Sequence, residues 1–155
     1  MKTNFILFLA FFIFISCENK SSLKNNLEVS KTDTILQKDG KILTYNVFPK
    51  KLLKIKRDKT TYSLVYHKRI EKIVEYYLDK STLHHVKFQI KNPNAKLGYS
   101  TEETDWEGVK YTQIGIFNRP EKNITTFQWL FYEPKSQQIY EFDVPKNKPI
   151  LFIYK

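Results

Sequence analysis

Three stretches of this sequence hold side chains whose types and spacing could do chemistry. "STEETDWEG", residues 100 to 108, sets Glu102, Glu103, Asp105 and Glu107 around Trp106. Neighbouring carboxylates can move protons or hold calcium. The ordered oxygen spacing of a calcium-binding hand is missing, so the stretch reads as a binding loop, with Trp106, Asp105 and Glu107 as its contact residues. His84-His85 is the second stretch. If it lies on a strand, its two rings point to opposite faces and cannot share one metal, and His67 has no partner at zinc spacing. The third is Cys17, the only cysteine, which follows Ser16 and an eleven-residue apolar run from Phe5 to Ile15. No G-x-S-x-G elbow and no glycine-rich phosphate loop occurs, so the sequence nominates no catalytic residue, no metal site and no cofactor.

The run before Cys17 would span about 16 Å as a helix, roughly half the hydrocarbon core of a bilayer. Behind Met1-Lys2, such a short run followed by a small residue has the form of a secretory signal. "FISC" resembles the lipobox of bacterial lipoproteins, in which cleavage falls just before a cysteine carrying diacylglycerol. Ser16 matches the small residue before the cut; Phe14 departs from the usual Leu, and Ile15 is larger than the usual Ala or Ser. The resemblance implies a signal peptide over 1–16, lipid attachment at Cys17 and a mature protein held in the cell envelope on a bacterial membrane, inner or outer. Each buried methylene contributes about 0.8 kcal/mol, so several palmitate-type chains on one residue hold firmly where one holds marginally.

The elements come next. Residues 17–34 are polar and aperiodic and read as a tether, which leaves 35–155 as a single domain. Asp39-Gly40 signals a turn. Leu43, Tyr45 and Val47 alternate as in a half-buried strand, and "KKLLKIK" reads as another short extended piece. Tyr66, Ile70, Ile73, Val74 and Tyr77 recur at spacings of three and four, predicting a helix over 62–80 capped by Thr61 or Ser63. "HVKFQIK" alternates and predicts a strand, and residues 92–108 read as a long loop. "VKYTQIGIF", "ITTFQWLFYE", "IYEFDV" and "PILFIYK" predict further strands, with Phe127, Trp129 and Phe131 on one shared face. Short connections favour antiparallel pairing. The expected fold class is α+β, one amphipathic helix packed on a curved antiparallel meander. In element order it resembles cystatin-like and NTF2-like folds, with no motif of either, so no activity follows.

Charge is uneven. The chain carries +10 overall. Residues 41–72 hold ten basic side chains against Asp58 and Glu71, whereas residues 97–143 hold four basic against eight acidic. Lys54, Lys56 and Arg57 mark the basic half as a solvated face, a contact for anionic lipid, or a dock for an acidic protein partner. Nucleic acid is not expected for an exported protein. The functional expectation is an inhibitor- or immunity-like binding module rather than an enzyme. The alternative is a small envelope enzyme with a pocket between helix and sheet, where His84 or His85 would meet a carboxylate.

Overall fold

In the computed structural model, residues 31–121 and 123–152 are described. Strands β1 (Thr32–Leu36), β2 (Ile42–Asn46) and β3 (Leu53–Lys56) precede helices α1 (Leu64–Lys80) and α2 (His84–Lys91). Strands β4 (Leu97–Trp106), β5 (Val109–Asn118), β6 (Thr125–Glu133), β7 (Gln138–Asp143) and β8 (Lys148–Leu151) follow. The fold is α+β. Six strands in the order β3-β4-β5-β6-β7-β8 make an open sheet, and β1 and β2 pair separately. The expected signal peptide over 1–16 and Cys17 lie outside the described residues. No described helix is long and apolar enough to cross a membrane.

Helix α1 forms where its periodicity predicts. Ser63 is extended, and its hydroxyl accepts the Tyr66 amide at 3.2 Å, satisfying one of the free donors of the first turn. Ile70, Ile73, Val74 and Tyr77 are all buried and join one cluster with Tyr99, Ile114, Ile116, Leu130 and Ile139 of the large sheet. Fully burying each aliphatic side chain contributes about 1.5–3 kcal/mol, so this stripe dominates the energetics of the helix.

The β1–β2 hairpin clamps α1 through polar contacts around an apolar centre. Asp39-Gly40 makes the expected turn, with Gly40 at φ 84° and its amide on the Gln37 carbonyl at 3.0 Å. Ile35, Leu43 and Tyr45 face inward and are buried. The Tyr45 hydroxyl lies 3.2 Å from both Asp33 Oδ2 and Glu75 Oε2, and Lys72 reaches Asp33 at 2.9 Å. Arg69 donates to the Leu36 carbonyl at 2.6 Å.

Five features differ from the sequence reading, each for a local reason. Strand β1 opens at Thr32, so residues 32–34 belong to the fold rather than to the tether, held by pairing with β2. "HVKFQIK" is helical. Val86 and Ile90 lie one turn apart and face inward, while Phe88 between them is 61% exposed, so the apparent alternation belongs to a helix. Residues 97–106 form the ten-residue strand β4 instead of a loop. The strand ends at Glu107 (φ 52°) and Gly108 (φ 79°), a two-residue turn with both φ positive. The meander is antiparallel from β4 to β8, but β3 pairs parallel with β4, the two helices supplying the crossover. Phe127 leaves the face shared by Trp129 and Phe131. The β5–β6 register shifts there, with Ile116 opposite Gln128 and Phe117 opposite Thr126, and Phe127 packs against the main core.

Candidate functional site

Strand alternation splits the large sheet into two unlike faces. One carries the aliphatic residues under α1. The other, with no described helix packed on it, carries Trp106, Tyr111, Trp129, Phe131, Tyr140 and Phe142. Register places them in rows. Glu102, Gln113, Phe131, Tyr140 and Leu151 stand opposite one another across β4 to β8, and Ser100, Gly115 and Trp129 form the next row.

Phe131 sits at the centre of this open face and is only 4% exposed. Its cover is other rings. Trp106 (6.0 Å), Tyr111 (5.7 Å) and Phe142 (5.7 Å) surround it, and Tyr111 and Tyr140 meet edge to face at 5.7 Å. Such pairs contribute about 0.5–1.5 kcal/mol beyond area burial. The outer rings remain half-buried, each with a flank open to solvent. Among the described residues the cluster is therefore packed by its own rings, with no further layer over it.

Trp129 lies on Gly115, where an added Cβ would come within 2.6 Å of its ring. Over that ring stands the Arg57 guanidinium, 5.2 Å from the centroid and 3.5 Å from Thr126 Oγ1. Glycine lets the indole lie close to the strand, and the indole in turn receives a cation.

Carboxylates rim the face. Glu102, Glu107 and Glu133 make no ion pair among the described residues, and Glu133 accepts the Ser136 hydroxyl at 2.6 Å. Burial, then the charges of Glu133 and Glu107, pushes the Tyr111 hydroxyl above its ordinary range; burial and Glu133 do the same to Tyr140. Both rings thus sit in a negative field and stay neutral hydrogen-bonding groups. Beside them opens a notch of about 770 Å³ between the β4–β5 hairpin tip and the β6–β7 turn, lined by Glu103, Asp105, Tyr111 and Glu133, with Lys110 and Lys135 also on its wall.

No protein-family model, curated protein or solved structure matches the chain. What the surface can do follows from its geometry.

The residues singled out from sequence divide between the two faces. Trp106 ends β4 within the aromatic cluster, Asp105 lines the notch and accepts the Gly108 amide at 2.9 Å, and Glu107 forms the turn. Lys54, Lys56 and Arg57 do not make one patch. Lys54 pairs with Glu71 of α1 at 2.8 Å, Lys56 alternates to that same side, and Arg57 stacks on the opposite face. His85 is hydrogen-bonded to Gln128 at 3.0 Å, and neither His84 nor His85 meets a carboxylate among the described residues. Among the described residues no group of three His, Cys, Asp or Glu could hold a metal. Sequence reasoning overlooked Tyr111, Tyr140 and Phe142 as site residues. Their alternation with polar neighbours was visible, but the large core-like rings disguised an open face.

Proposed function

We propose that the chain is a membrane-anchored binding module of a bacterial cell envelope, inhibitor- or immunity-like, that meets a protein partner through the open aromatic face of its sheet. The lipobox-like "FISC" and Cys17 support the location. The surface is supported by one observation above all: a cluster of six aromatic residues stands on a six-stranded sheet with no described element over it. Trp, Tyr and Arg dominate binding energetics where they can be desolvated by a partner, and Arg57, Trp106, Trp129, Tyr111 and Tyr140 are of those types. Scattered exposed apolar residues such as Leu64 and Val65 on α1 make no comparable cluster.

Site-specific photo-crosslinking in living cells tests the surface. A benzophenone side chain at Tyr140 is expected to give one discrete adduct, and the same group at Val65 none. Equal labelling from both positions, or none from Tyr140, overturns the reading. Replacing Cys17 with Ser tests the anchor: the protein is expected to lose lipid incorporation and leave the membrane fraction. Retention without any lipid in the wild type defeats it.

A further inference from the structure

We infer that the open face receives an extended, arginine- and lysine-bearing segment of the partner, entering beside Lys110 of β5. The inference rests on the open face being the docking surface, and it adds the chemistry of what docks there.

Three independent features converge on that chemistry. The first is charge. Glu102, Glu107 and Glu133 surround the rings with no cation paired to them among the described residues. Glu103 and Asp105 alternate to the α1 side of β4 and line the notch from there, and around it the carboxylates outnumber Lys110 and Lys135. An acidic surface on a chain of net charge +10 is a local arrangement, set against the sign of the rest of the molecule.

The second feature is the molecule's own occupant. Arg57 already stands over Trp129, so one ring of this face binds a guanidinium. Trp106 and Tyr111 have half-buried rings of the same kind, with Glu107 and Glu133 acting on Tyr111 and no cation of the described residues over either ring. Aromatic rings beside carboxylates favour cations twice over, through the ring quadrupole and through charge.

The third is a strand edge. β5 pairs with β4 as far as Trp106 opposite Val109, but its pairing with β6 begins only at Thr112 opposite Tyr132. Backbone groups alternate along β5: those of Val109 and Tyr111 turn to Trp106 and Thr104 of β4, so on the β6 side Lys110 presents an N–H and a C=O that no described strand takes. The notch lies against this stretch. An extended segment entering there can add backbone hydrogen bonds while alternate side chains reach the rings.

The test uses the full chain in detergent micelles and a synthetic peptide of five arginines alternating with five threonines. The same peptide with glutamate for arginine and a chito-oligosaccharide serve as competing probes. The arginine peptide is expected to bind, to shift the amides of Trp106, Val109 and Tyr111, and to weaken about tenfold between low and high salt. Glu107→Lys together with Glu133→Lys is expected to weaken binding about tenfold; should the pair fail to fold, exposed Glu107→Lys alone is expected to cost about threefold. Preference for the glutamate peptide or the glycan, self-association through the same amides, displacement of the peptide by residues 18–30 of the chain, or no binding of the arginine peptide overturns the inference. Shifts on the open face with any of those other occupants leave the docking surface standing. Shifts confined to α1 overturn both.

Discussion

The two faces of the six-stranded sheet are built from different chemistry. Under α1 lie Ile114, Ile116, Leu130 and Ile139, aliphatic side chains that are all but fully buried. On the other side stand rings that seal Phe131 by edge-to-face and tilted packing and keep their own flanks in water. Aliphatic side chains have no way to satisfy exposure, so they require a cover. Tyrosine and tryptophan carry a polar handle and a quadrupole, so they can form a stable surface while remaining available. The contrast separates a face that holds the fold from a face that can be spent on recognition.

The first way to break this comparison is to cut the covered face. Leu130→Ala is expected to lose about 3 kcal/mol in chemical denaturation, from lost transfer energy and a cavity that α1 cannot close. A loss below about 1 kcal/mol would mean that α1 is not seated on the sheet as described.

On the open face, Gly115→Ala is expected to cost about 1–2 kcal/mol, because its methyl meets the Trp129 ring and Ser100 Oγ. Displacement of the indole would also break the Arg57 stack, so tryptophan fluorescence should shift with stability. An unchanged spectrum would show that the ring does not lie on the strand.

A smaller effect concerns the hairpin clamp and pH. Burial pushes the Glu75 carboxyl above its ordinary value of 4.5, against the opposing bond from Tyr45. Its contribution to stability is complete below 4.5 and is lost as pH rises through the higher folded value. Asp33 behaves oppositely: hydrogen bonds from Lys72 and then the Thr34 amide hold it below 3.8, so its contribution is lost only as pH falls through that lower value. Stability should therefore rise on mild acidification from neutrality and fall in strong acid. Glu75→Gln is expected to remove the rise and to increase Tm at neutral pH by about 2 °C. Thermal melts across pH check this, and an unaltered profile in the variant would contradict it.

Smallest of all, Lys54→Ala removes an exposed ion pair with Glu71 and is expected to cost no more than about 0.5 kcal/mol.

Much of this architecture was legible from the residues. Helix α1 was legible because its stripe from Tyr66 to Tyr77 runs through about three turns behind a serine cap, and the α+β class followed from that helix and the late run of strands. Strand β4 was not, because its open-face positions begin with Gly98 and Ser100. They are buried beneath the large neighbours Phe117 and Trp129 and need no apolar side chain of their own. Helix α2 was missed because Val86, Phe88 and Ile90 at every second position have the strand period, and only Val86 and Ile90 of the three share a helix face. At the site, Trp106 could be named from its own sequence, whereas Tyr111, Tyr140 and Phe142 acquire meaning only when register gathers them around Phe131.

The claim that the open face exists for recognition is tested most directly by Tyr111→Ala. Tyr111 is half-buried, with ring contacts to Phe131 and Tyr140 and an acidic neighbourhood. Titration of the arginine–threonine peptide onto this variant, with a melt of the same sample, is expected to show affinity reduced about tenfold and a Tm lowered by only about 3 °C. A folded variant that binds the peptide as tightly as the wild type would contradict the account.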